Sequence, residues 1–267
     1  MAAQISGLFH YPIKGLSAQA LDHVTLQQGQ GFPMDRMLGF GRHNSGFDPE
    51  NPRPLPKGRF VVLARDAALA TLDTQYDAAT HTLRVTHRSE STAYDLADPM
   101  AVDVLVRFLA EHVGISSAAL PRLHAAAPHR FTDVSVVSPQ MMNAVSLLNA
   151  ESVAAFSKDL GQDISPARFR ANLVFEGLPA FAEFDWIGKR VAVGGVAFDV
   201  VQRTQRCPAT EVNLDTGLRD IDVPKALQRL YGHRDMGVYA HVVQGGEIRL
   251  GDALKLGETQ AAEAPSA

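Results

Sequence analysis

Cys207 is the only cysteine in a chain of 267 residues, and it follows Arg203 and Arg206 closely, with Pro208 immediately after it. The thiolate is the form of cysteine that ligates soft metals and attacks electrophiles, and nearby guanidinium groups favour ionisation. On these residues alone Cys207 reads as a metal ligand, a nucleophile or a small buried hydrophobe. Upstream stand Arg168, Arg170 and Asn172 in the pattern Arg-Phe-Arg-Ala-Asn. As a strand, this stretch would carry both arginines on one face with Phe169 opposite. Two convergent guanidiniums suit bidentate binding of phosphate or carboxylate. The plainer alternative is a solvated arginine pair on an edge strand.

The elements that must position these groups are mostly strands. Ile5 to His10 and His23 to Gln27 read as strands around a turn, Tyr11-Pro12-Ile13-Lys14-Gly15, that carries Lys14 at its tip. Proline fixes one backbone angle there and glycine frees another. Asp35-Arg36 precedes a further strand and reads as a surface ion pair. Phe60 to Ala64, Leu69 to Tyr76, Thr82 to His87 and Thr92 to Leu96 carry strand-type residues. Between them and Arg36, residues 43–58 hold Pro49, Pro52, Pro54 and Pro56 and read as a long surface loop. Asp98-Pro99 opens a helix whose apolar face is Val102, Leu105, Val106, Leu109 and Val113. Ser116 to Arg130 looks like a join between two units. Asn149 caps a second helix that Gly161 ends, and Pro224 to Tyr231 is a third. Strands are expected at Asn143 to Leu148, Leu173 to Phe175, Arg190 to Val193 and Val196 to Gln202. Gly237 to Val243 and Glu247 to Leu250 read as a hairpin through Gly245-Gly246. The final residues from 258 have little to bury and read as disordered.

Composition sets the bounds. The chain is 46% hydrophobic and 20% charged, with a net charge of −4, the profile of a globular protein with no nucleic-acid or membrane signature. No apolar run approaches the roughly 20 residues of a transmembrane helix. The N-terminal stretch lacks a basic flank followed by an apolar signal core. One cysteine makes no internal disulfide, which suits a reducing cytoplasm, and cannot hold an iron–sulfur cluster, which takes about four. Redox chemistry would therefore draw electrons from a separate protein. The phosphate loop, the dinucleotide-binding glycine fingerprint, the nucleophile elbow and the His-Glu-x-x-His pair are all missing from the sequence. His124 and His129 make a poor metal pair, and His233 and His241 read as structural.

Several motifs in order give a family resemblance. Arg168-Phe169-Arg170-Ala171-Asn172, Phe184-Asp185-Trp186-Ile187-Gly188, Arg206-Cys207-Pro208-Ala209-Thr210 and Asn213-Leu214-Asp215-Thr216-Gly217 together resemble the signature of MOSC domains. These take their name from the C-terminal domain of molybdenum cofactor sulfurase. Tyr11-Pro12-Ile13-Lys14 and Gly31 to Arg36 resemble the β-barrel unit that precedes this domain in members that reduce amidoximes and N-hydroxylated bases. The resemblance implies an α+β, mostly β fold: an N-terminal β-barrel-like unit over 1–124, a MOSC β-barrel over 125–257, and a tail over 258–267. It implies a pyridoxal-phosphate-independent protein holding a molybdenum cofactor (Mo-molybdopterin) between the units. Cys207 would ligate the metal. Arg170 and Asn172 would hold the pterin or its phosphate, Lys14 and Arg36 would reach across from the first unit, and Arg168 and Arg206 would add contacts. The sequence departs from the family at Ala171, where proline is usual, and at Gly15, where a small hydroxyl residue is usual.

The activity implied is reduction of small N-hydroxylated substrates (hydroxylamines, amidoximes, N-hydroxylated bases), with electrons from a ferredoxin-, flavin- or cytochrome-type protein. A monomer satisfies every feature of the sequence. Two other readings keep the same site. One makes Cys207 a persulfide carrier. The other makes the chain a binding or storage protein for the cofactor.

Overall fold

A computed structural model describes residues 3–257. The tail expected to be disordered lies outside the described residues. In chain order the elements are β1 (Gln4–His10), β2 (Gln19–Ala20), β3 (His23–Leu26), β4 (Leu38–Gly41), β5 (Asp73–Asp77), β6 (Thr82–His87) and β7 (Glu90–Asp95). Then follow α1 (Pro99–His112), β8 (Arg122–Ala125), β9 (Val145–Asn149), α2 (Ala150–Leu160), β10 (Leu173–Glu176), β11 (Arg190–Val193) and β12 (Val196–Gln205). The chain closes with α3 (Val223–Tyr231), β13 (Asp235–Gln244), β14 (Gly246–Arg249) and β15 (Leu254–Leu256). The fold is α+β and mostly β. Among the described residues no helix is long and apolar enough to cross a membrane.

Eight strands form one curled sheet in the order β15-β11-β12-β13-β9-β10-β1-β2. Only β9 and β10 run parallel, joined by α2 as the crossover helix; their neighbours are antiparallel. The inner face buries Trp186, Phe175, Phe198, Val191, Val193 and Val238, and β1 adds Ile5 and Leu8 to that same core. Smaller ladders pair β4 with β8, β3 with β14, and β5-β6-β7 as a meander. The meander packs Leu83 and Val85 on Leu105 and Leu109 of α1, and Val212 from far along the chain joins them.

The helices form where their end signals stand. The Asp98 carboxylate accepts from the Met100 amide, and Asn149 accepts from Glu151 in the same way. Gly161 ends α2 at a positive φ of 73°. Several sequence expectations are corrected. Residues Phe60 to Leu63 are buried, but Phe60 to Ala64 make no strand; only a bridge from Phe60 to Gly41 forms. The β13–β14 hairpin does not form, because β14 turns away to pair with β3. Glycines 245 and 246 permit this: a Cβ on the first would meet the Leu26 carbonyl at 2.7 Å, and on the second the Gly195 carbonyl at 2.4 Å. A further correction concerns the arginine pair and belongs to the site.

Candidate functional site

Arg168, Phe169 and Arg170 do not lie on a strand. Ser165 caps a single 3-10 turn, Pro166–Phe169, its hydroxyl accepting from the Ala167 amide, and Pro166 holds the first position. Arg170 ends the turn with φ at 52°, in the left-handed region. The turn therefore sends the two arginines apart. Buried Arg168 donates twice to the Asp220 carboxylate, at 2.7 and 2.6 Å, and ties the 165–170 segment to the segment beyond Cys207. Arg170 enters a cavity.

That cavity, of about 310 Å³, lies where the first half of the chain meets the large sheet. Every residue singled out from the sequence lines it: Lys14, Arg36, Arg168, Arg170, Asn172, Arg206 and Cys207. Their hydrogen bonds divide them by role. The Asn172 side chain accepts from Ser146 Oγ at 2.9 Å and donates to the Phe9 carbonyl at 3.2 Å, so it clamps β9 and β1 around β10. Arg206 donates to the Met236 and Phe169 carbonyls and holds the Cys207 segment against β13. Arg168, Asn172 and Arg206 are thus committed to the walls. Cys207, half-buried, stands just past the end of β12 and opens the turn Pro208–Glu211. Register shifts in the β12–β13 ladder at Val200/Gln202 and Arg203/Gln205 bend the strand where it delivers this segment.

The remaining charges nearly neutralise one another. Asp35 pairs with Arg36, and the Asp35 carboxylate also accepts from the Tyr11 amide at 2.9 Å. Lys14, which the turn was expected to expose, is buried; its ammonium donates to Asp133 and to the Phe131 carbonyl, the latter at 2.7 Å. Lys57 Nζ lies 3.6 Å from Asp133 and lines the same cavity as Cys207. Burial works to raise the Asp133 carboxyl, but Lys14 and Lys57 outweigh it and hold it down at about 2. Burial likewise opposes charge on Lys57, and Asp133 with Cys207 outweighs it, keeping this lysine above its ordinary value. Burial wins at Lys14, which is pulled down despite Asp133.

Arg170 differs. Among the described residues its guanidinium has no carboxylate partner and no hydrogen bond; it rests over the Tyr11 ring, 4.2 Å from the centroid. Burial pulls its pKa down to about 10, with Arg36 nearby adding to the effect. Thr204 lines the cavity as well, and its hydroxyl is buried and unpartnered among the described residues. A part-buried cation without an anionic partner, in one cavity with a thiol, forms a donor set that matches an anionic, thiolate-ligated cofactor.

Sequence reading missed Tyr11, Lys57, Asp133 and Thr204. Lys57 comes from the end of the proline-rich 43–58 loop, whose Phe47 packs on Phe131 (5.0 Å between ring centroids), His124 (4.9 Å) and His129 (5.4 Å). The two histidines are thus members of an aromatic cluster that seats the loop. The departure at Gly15 also has a cause. Its φ is 87° and a Cβ there would meet the Val61 carbonyl at 2.7 Å, so this backbone takes only glycine without moving.

Comparison with known proteins agrees with the sequence resemblance. Residues 125–255 match the family model of the MOSC domain. The chain is 31% identical over 134 residues to mitochondrial amidoxime-reducing component 1 of Xenopus laevis, covering 46% of this chain and 38% of that protein. It is 28% identical over 138 residues to molybdenum cofactor sulfurase of Drosophila erecta, covering 51% of this chain and 17% of that protein. The matches thus span well under half of either relative's length. Among solved structures, YiiM from Geobacillus stearothermophilus is 26% identical over 43% of this chain and 54% of that one, with a TM-score of 0.34. YUAD protein from Bacillus subtilis is 14% identical over 95% and 94% of the two chains, with a TM-score of 0.40. Residues 125–255 of this chain are a MOSC domain.

Proposed function

We propose that the cavity holds a molybdenum cofactor and that the chain uses it to reduce small N-hydroxylated compounds, with electrons from a separate protein. The observation that carries this reading is Arg170, a part-buried guanidinium without an anionic partner among the described residues, in one cavity with the only thiol of the chain. The names of the relatives, an amidoxime-reducing component and molybdenum cofactor sulfurases, support it. When bound, the cofactor supplies two-electron chemistry at a metal that takes up an oxygen atom.

The chain's own residues have separate tasks. Cys207 provides the thiolate ligand at the end of β12. Arg170 holds the anionic group of the cofactor, assisted by Arg36, and Thr204 offers a hydroxyl to it. Lys57 places a positive charge in the cavity with Cys207, while Asp133 holds Lys57 and Lys14. Arg168, Asn172 and Arg206 keep the walls in register. The proline-rich loop closes one side of the cavity and brings Lys57 into it, so it bears directly on which substrates enter.

The test is metal and pterin content of protein made in a host that synthesises the cofactor. Near-stoichiometric molybdenum is expected in the natural chain and none in Cys207→Ser, with the circular dichroism spectrum unchanged. Arg170→Ala should keep the fold and lose most of its molybdenum. Reduction of hydroxylamines and amidoximes would then be assayed with a chemical electron donor. Protein free of metal and pterin, from a host that loads a control molybdoenzyme, would overturn the reading. A sulfur adduct on Cys207 in that protein would favour persulfide transfer instead.

A further inference from the structure

We infer that Tyr11 is the positioning residue of the anion site: its ring holds the Arg36 and Arg170 guanidiniums together against their mutual repulsion. The guanidinium carbons lie 4.5 and 4.2 Å from the ring centroid, and the phenol is buried. Two cations brought this close in a desolvated site repel strongly. The π face of one aromatic ring offsets part of that cost for each of them. The ring is itself well fixed. Its hydroxyl donates to the Ala171 carbonyl at 3.3 Å, its amide donates to Asp35, and its carbonyl accepts from the Arg36 amide at 2.7 Å. Arg36 in turn donates to the Arg170 carbonyl at 3.1 Å.

The backbone points the same way. Arg36 and Arg170 both sit at positive φ, 50° and 52°, where residues other than glycine are strained. Two strained positions far apart in sequence, whose side chains meet on one ring, mark a preset arrangement. Hydrophobic burial alone would need an aromatic ring here but not two arginines over it. Arg36 keeps Asp35 as its carboxylate partner, whereas Arg170 has the ring in place of one, which leaves Arg170 available to an incoming anion.

The inference rests on Arg170 as the anion-holding group, and the experiment separates the two. Binding of inorganic phosphate to the full chain, purified from a host that makes no molybdenum cofactor, is measured by calorimetry. The set comprises the natural chain, Arg170→Ala, Tyr11→Phe, and Tyr11 replaced by mono-, di- and trifluorophenylalanine. Fluorine drains the π face while keeping ring shape, so packing and folding are preserved. Phosphate affinity should hold in Tyr11→Phe and fall stepwise with fluorination, by roughly five- to tenfold over the series, the size of a desolvated cation–π contact. Flat affinity across the fluorinated series, with binding lost in Arg170→Ala, overturns the role of Tyr11 and keeps the anion site. Loss in Tyr11→Phe equal to that in the trifluoro variant assigns the effect to the hydroxyl and also overturns it. Unchanged affinity in Arg170→Ala removes the anion site itself.

Discussion

Asp133 shows how a single carboxylate organises the cavity. It takes hydrogen bonds or charge from Lys14 and Lys57, residues of two different segments, and its own accessible surface opens into the cavity. A carboxyl held below its ordinary value stabilises the fold above the unfolded-chain value near 3.8, and that contribution is lost as pH falls toward about 2. Thermal unfolding followed from pH 6 to pH 2 should therefore show a steep acid limb between about pH 4 and pH 2. In Asp133→Asn that limb should be shallower and the neutral-pH melting temperature lower, because buried Lys14 loses its countercharge. An identical acid limb in the variant would exclude Asp133 as its source. Lys57 and Asp133 were invisible in the sequence for a simple reason: their partners stand more than seventy residues away, and nothing in their neighbours marks them.

At the scale of elements, what was legible followed local chemistry. Asp98 before Pro99, Asn149 as a cap and Gly161 as a stop each act within one turn of chain, so α1 and α2 could be read directly. What misled was alternation without context. Arg-Phe-Arg has strand periodicity, yet Ser165 and Pro166 just before it set a 3-10 turn and send Arg168 to Asp220. The Gly245-Gly246 pair reads as a turn, yet its lack of side chains serves close backbone packing against Leu26 and Gly195. One polar junction binds the elements behind the site. The buried Glu183 carboxylate accepts from Ser152 Oγ of α2 at 2.9 and 3.0 Å and from Asn149 Nδ2 at 3.2 Å. Glu183→Ala would strand both donors and should destabilise the fold by about 1–3 kcal/mol in urea titration. A change within a few tenths of a kcal/mol would mean water replaces the carboxylate there.

For the whole molecule, the motifs converge on one cavity, whereas the strand order was not legible in them. Seven of the cavity residues were named from short sequence patterns, while Lys57, Asp133 and Thr204 were not, and sheet order depends on pairings between distant strands. The most telling of these is β1 on β10, with Ile5 and Leu8 at 1% exposure inside the large core. Val24, Leu26 and Phe32 join them, so that core draws on both ends of the chain. A fragment of residues 125–257 expressed alone should consequently fail to fold, giving no dispersed amide spectrum and binding a hydrophobic dye. Adding back residues 1–40 as a separate peptide should recover part of the dispersion. A well-dispersed spectrum from the fragment alone would show that β1 is dispensable.

The pairing of the chain's two ends also sets an order of events during synthesis. Ile5 donates to the Asp252 carbonyl, Gly251 donates back to Ile5, and Leu254 donates to Ala3. A ribosome adding roughly 5–20 residues each second releases the first strand many seconds before residues 251–254 exist to meet it. β1 lacks its β10 partner until residues 173–176 are made, and its contacts with residues 251–254 come later still. The cavity can therefore close only after residues 251–254 have been made, which places loading of any ligand there later than their synthesis.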